Sequence, residues 1–132
     1  MTTTKLNRVG SNQTEIATVG KKLERVVFYS YETPVVVKVK DITDEKWIAF
    51  ATSKKSRRLH AEKNKSNLNS VTTSKHINNY LGDRDPLALE EYSGESGLDG
   101  NVKFVCYVLQ EEIERMAQHF MTNTLDISAL FA

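Results

Sequence analysis

The chain has 132 residues, 39% of them apolar and 27% charged, with a net charge of +1 and a single cysteine, Cys106. That length fits one domain around one core, and near-neutrality gives no global field toward nucleic acid or acidic membranes. A lone cysteine excludes an internal disulfide framework; Cys106 reads as a small apolar residue on a strand in a reducing compartment.

Residues 1–20 are polar, rich in Thr and Asn, and lack both an apolar h-region and a sustained period. They are expected to be a flexible N-terminal arm, with residues 21–132 forming a single α+β ligand-binding domain. No apolar run is long enough to span a bilayer, so the expected setting is cytoplasmic, with no membrane partner. Residues 25–31 (RVVFYSY) are dense in β-branched and aromatic side chains and are broken by Glu32-Thr33-Pro34. Val35, Val37 and Val39 then alternate with Lys38 and Lys40, the pattern of a half-buried strand. After a turn at residues 41–45, residues 47–52 (WIAFAT) read as a third strand. Short connections favour an antiparallel meander.

Residues 53–69 are polar, with Leu59 and Leu68 the only large apolar side chains, and read as a weak strand or long hairpin. Residues 71–82 read as a short helix: Thr73 or Ser74 caps it, Ile77, Tyr80 and Leu81 share a face, and Gly82 stops it. Residues 82–100 carry Pro, Gly and acids and read as a loop. Residues 102–109 have β propensity, and residues 110–121 follow as a helix with Ile113, Met116 and Phe120 on one face. A single helix from Val102 onward is the alternative. The expected fold is therefore α+β, a small antiparallel β-sheet with a short central helix and a C-terminal helix.

The charge is segregated. Residues 54–65 hold six cations against Glu62, and residues 83–99 hold six carboxylates against Arg84. Two solvated loops that attract each other account for this; so does an anion site in which Arg57 and Arg58 offer forked donors to phosphate. The start of the central helix is a second anion candidate, with Ser74, Lys75 and His76 near unpaired N–H groups and the positive dipole end. A plain cap followed by an exposed lysine is its alternative. His60, His76 and His119 lack metal-ligand spacing, and no phosphate loop or nucleophile motif is present, so no catalytic residue, metal or cofactor is assigned. Phe28, Tyr31 and Tyr107 are candidates to stack on a nucleobase, and Arg115 is the reserve phosphate ligand.

Tyr29-Ser30-Tyr31-Glu32-Thr33-Pro34-Val35-Val36, with Thr72-Thr73-Ser74-Lys75-His76-Ile77-Asn78 downstream, resembles small phage-encoded proteins that carry a Y-x-T-P-V strand turn and a T-S-K-H-I/L-N helix start. Within that group the chain most resembles the phage Thoeris anti-defence proteins of the first type, well over residues 24–82 and loosely in the C-terminal third. The resemblance implies a non-catalytic sponge in the infected bacterial cytoplasm. It would bind a cyclic ADP-ribose isomer or another cyclic nucleotide made by TIR-domain defence enzymes and hold it uncleaved, as a homo-oligomer built from dimers, such as a hexamer. The resemblance assigns no ligand contact residue by residue; Asn78, near the start of the central helix, is among the ligand residues expected from the chain itself.

Two rival readings are a protein that inhibits a host protein through its acidic loop and a small nucleic-acid-binding module. Near-neutral charge speaks against DNA as a partner. Leu125, Ile127, Leu130 and Phe131 give an apolar C-terminal tail, which is expected to pack on the domain or on a partner subunit.

Overall fold

The computed structural model describes residues 3–64, 71–81, 94–95 and 102–121. Among the described residues seven strands form one sheet: β1 (Thr3–Gly10), β2 (Gln13–Val19), β3 (Leu23–Ser30), β4 (Thr33–Asp41), β5 (Trp47–Thr52), β6 (Gly94–Glu95) and β7 (Val102–Val108). Their spatial order is β1-β2-β3-β4-β5-β7-β6. The first five make an antiparallel meander, because each connection is only a few residues long. β7 lies parallel to β5 after a long crossover through helices α1 (Lys54–Asn64) and α2 (Val71–Tyr80), and β6 pairs antiparallel on its far side. Helix α3 (Gln110–Met121) follows β7. The α+β class, the mainly antiparallel sheet and the central and C-terminal helices agree with the sequence pattern.

Both faces of the sheet are covered. On one face Ile77 of α2 and Leu81 just after it pack with Val26, Phe28, Val36, Trp47, Ala49 and Val105. On the other, Ile113 and Ala117 of α3 meet Ile16, Val27, Tyr29 and Val37, with Met116 and Phe120 alongside. Ile113, Met116, Ala117 and Phe120 recur at helical spacing, so α3 presents one continuous apolar stripe.

Four expectations are corrected. Residues 3–19 are not an arm but a hairpin, in which Glu15 pairs with Phe28 and Ile16 with Val27 across β3. Ile16 is fully buried, and that one apolar side chain anchors an otherwise polar strand too sparse to show a period. Residues 54–64 are a helix rather than a strand or hairpin: Ser53 caps it by accepting the Ser56 N–H at 3.1 Å, ahead of a run of strong helix formers. β4 is not half-buried, because α2 covers its lysine face and Val36 and Lys38 are both buried. Of the loop expected at residues 82–100, Gly94–Glu95 form β6 instead; the rest of it, with most of the acidic cluster, and the apolar tail expected at 125–131 lie outside the described residues.

The end of the sheet where β5 and β7 finish is a polar junction. Ser56 of α1 accepts the Gln110 N–H at 2.8 Å, which supplies a partner to a backbone donor at the start of α3. Gln110 in turn donates through Nε2 to the Pro34 carbonyl at 2.8 Å. Pro34 has no N–H for the ladder, and the β3–β4 register shifts beside it.

Candidate functional site

The β3–β4 turn is tight: Ser30 pairs with Thr33, leaving only Tyr31 and Glu32 between the strands. Tyr31 has φ 58°, a left-handed conformation uncommon for an aromatic residue. Its N–H donates to the Asn12 carbonyl at 2.7 Å, which ties this tip to the β1–β2 tip, where Asn12 itself has φ 57°. Asn tolerates that region through its short polar side chain; Tyr does not share that excuse. The Tyr31 ring is 43% exposed and tilts against the His76 imidazole, centroids 5.9 Å apart.

Ser30 projects to the α2 face. Its Oγ lies 2.8 Å from His76 Nδ1 and 3.3 Å from Thr73 Oγ1, so one hydroxyl holds two side chains a helical turn apart. Burial pushes the His76 pKa below its ordinary value, which keeps the ring neutral at pH 7. A serine hydroxyl against an imidazole is the contact of a nucleophile with its base. Here Ser30 is only 2% exposed, so the contact orients the ring rather than offering Oγ to a substrate.

Behind this group, Arg57 of α1 is turned inward and 1% exposed. Its Nη1 donates to the Thr52 carbonyl at 2.7 Å and its Nη2 to Ser74 Oγ at 3.2 Å. The two anion candidates thus touch through Arg57 and Ser74, but as a bond within the protein. α2 begins at Val71, so Thr73 and Ser74 lie inside its first turn instead of capping it, with Ser74 accepting from Arg57 and Thr73 held by Ser30. Lys75 stays exposed beside Ser74, and Arg58 is exposed on α1.

One turn further along α2, Tyr80 stacks on Phe28, centroids 3.9 Å apart and planes 8° from parallel. The Tyr80 hydroxyl donates to Glu15 Oε2 at 2.6 Å, while Asn7 Nδ2 donates to Glu15 Oε1 at 3.2 Å. Burial first, and then Glu15, push the Tyr80 phenol far above its usual pKa. Lys38, 9% exposed, places its ammonium 4.4 Å from the Tyr80 ring centroid and 4.8 Å from that of Trp47. Burial lowers the Lys38 pKa, and Glu15 and Glu24 work against that shift.

Of the residues expected from the sequence, Tyr31, Ser74, Lys75 and His76 share this end of the fold, with Arg57 buried behind them. Phe28 is in the core beneath Tyr80, and Tyr107 is half-buried on β7 against the same core. Arg115 is on the opposite face, exposed on α3, where it pairs with Glu112 at 2.9 Å and takes no part in the site. The Asn78 side chain lies outside the described residues. Sequence reasoning missed two polar groups, Ser30 with Thr73 and Glu15 with Tyr80 and Lys38; the available signal was Val36 beside Lys38, a buried apolar residue on the lysine face. Among the described residues no cluster of His, Cys, Asp or Glu is arranged to hold a metal ion.

The model of a family of unknown function, DUF8033, matches residues 4–95, a span that contains both tips and all of α1 and α2. No curated protein and no solved structure matches the chain.

Proposed function

The chain thus belongs to the DUF8033 family, and from that premise we propose that it is a non-catalytic binding protein for an anionic, ring-bearing small molecule of the nucleotide class. The observation that carries this reading is the meeting of two distant segments, residues 29–34 and 72–76, at an exposed Tyr31 held in a left-handed conformation against a neutral His76. Backbone strain at an exposed aromatic tip is retained where the surroundings fix it, and such strain concentrates at ligand sites. Tyr31 offers a face to a base, His76 an uncharged polar edge, and Lys75 a cation for a phosphate. The inaccessibility of Ser30 favours holding a ligand over cleaving it.

In its finest form the ligand is a cyclic ADP-ribose isomer, and the protein sequesters it to block TIR-dependent Thoeris immunity; the two motifs support that form through their likeness to the anti-defence sponges. Native mass spectrometry and calorimetry with cyclic ADP-ribose isomers and cyclic dinucleotides test it. The expected result is a stoichiometric complex that releases intact ligand on heating and that Tyr31→Ala weakens by roughly tenfold or more, as loss of one stacked ring predicts. Hydrolysis products in proportion to protein would make it an enzyme. A second reading rests on the exposed Lys55, Arg58 and Lys63 of α1, which suit a nucleic-acid backbone. A steep salt dependence of oligonucleotide binding, with no response to cyclic nucleotides, would favour it.

A further inference from the structure

At the opposite end of β3, roughly 23 Å from Tyr31 by strand rise, the β2–β3 turn forms an open notch of about 300 Å³ lined by Thr18, Gly20, Lys21, Lys22, Leu23 and Arg25. The turn is held in shape by two backbone bonds: Gly20 N–H donates to the Leu23 carbonyl at 2.9 Å, and Ile42 N–H to the Lys22 carbonyl at 2.9 Å. Lys21 and Lys22 are exposed, and Arg25 is half-buried with its guanidinium 5.2 Å from the Phe120 ring centroid. Among the described residues none of these three cations forms an ion pair. The neighbouring carboxylates are engaged elsewhere: Glu24 meets Lys40 at 3.5 Å, and Asp41 accepts from Thr43 N–H at 2.9 Å and Thr43 Oγ1 at 2.7 Å.

Thr18 stands directly across the strand pair from Arg25. It is 5% exposed, and its Oγ1 is buried without a hydrogen-bond partner. Buried hydroxyls almost always find a partner, and one left unpaired beside three cations that form no ion pair among the described residues marks a place that an acceptor-only group completes. A tetrahedral oxyanion fits this set: it takes a hydroxyl donor, forked N–H donors from Arg25 and the lysine ammonium groups together, which a carboxylate-free wall permits.

We propose that this notch is a binding site for the phosphoryl group of a small soluble molecule, separate from the Tyr31–His76 end. The test is an amide chemical-shift titration of the full chain with inorganic phosphate and with pyrophosphate. Saturable shifts confined to residues 18–25 are expected, tighter for pyrophosphate. Arg25→Gln and Thr18→Val are each expected to weaken pyrophosphate by roughly five- to tenfold, and Tyr31→Ala to leave it unchanged, so this site and the nucleotide site stand or fall separately. Should Arg25→Gln disturb the fold, the exposed double variant Lys21→Gln, Lys22→Gln makes the same measurement. Absence of saturable shifts, or parental affinity in Thr18→Val together with either charge variant, overturns the proposal. So does binding of a single-stranded oligonucleotide at residues 18–25 with no response to phosphate or pyrophosphate.

Discussion

On the α3 face the sheet buries Ile16, Val27, Tyr29 and Val37 against Ile113 and Ala117, and the contact is apolar almost throughout. On the α2 face, Val26, Phe28 and Val36 share the surface with Ser30, Lys38 and Glu15, whose polar groups are met by His76, Tyr80 and Trp47. Apolar burial is non-directional and tolerates volume-conserving exchange, whereas each polar atom on the α2 face needs a partner at a fixed place. The second face therefore specifies geometry, and the candidate site sits at its end.

The largest effects should fall on the apolar part of both faces. Phe28→Ala and Ile113→Ala remove fully buried side chains and are expected to destabilise by about 3–5 and 2–5 kcal/mol in urea unfolding. They should differ in consequence, because Phe28→Ala also loosens Tyr80 and with it Glu15, while Ile113→Ala leaves the α2 side intact. Equal disturbance of the Tyr80 ring resonances in both variants would erase the distinction between the faces.

Arg57→Ala should cost about 2–3 kcal/mol, since it leaves the Thr52 carbonyl and Ser74 hydroxyl without their charged donor in a buried setting. Arg58→Ala, one residue along and exposed, should stay within about 0.5 kcal/mol. A similar cost for both would mean that the inward turn of Arg57 is not what holds α1 to α2.

Tyr31→Gly sharpens the comparison from the other direction. Removing the side chain from a left-handed position should raise stability by about 1 kcal/mol, while nucleotide binding weakens. A variant that is both more stable and less able to bind separates the two roles of the turn.

The smallest effect is linked to protonation. The His76 pKa is depressed in the folded state, so between its ordinary value of 6.5 and the lower folded value the unfolded chain binds more protons. Stability should therefore fall as pH drops through that window and level off below the folded value. His76→Gln should flatten this part of the profile in denaturant titrations across pH 4–8; a slope that persists unchanged assigns it to other groups.

The meander from β3 to β5 and helix α3 were legible because each is written locally, in alternation or in helical period. The α2 face was not. Ser30 meets His76 46 residues away and Glu15 meets Tyr80 65 residues away, separations that no local window spans. Lys38 read as a solvent-facing residue because its ring partners, Trp47 and Tyr80, come from a different strand and a helix. Tyr31 and His76, one from each motif, come together at one end of the fold, yet nothing in residues 53–69 shows locally that Arg57 turns inward. Burial of a cation depends on Thr52 and Ser74 lying on either side of it, which is a fact of packing.

The placement of β7 between β5 and β6 bears on how the chain assembles. Strands β1 to β5 can zip together through short turns, whereas β7 reaches β5 only after the chain closes a segment on the order of fifty residues, which costs roughly 3 kcal/mol more in loop entropy than a two-residue hairpin. In a chain emerging from the ribosome the meander is already complete when β7 is made. The β5 edge then stands as an open template until the parallel strand β7 docks, and an unpaired edge of that kind is open to pairing with another chain.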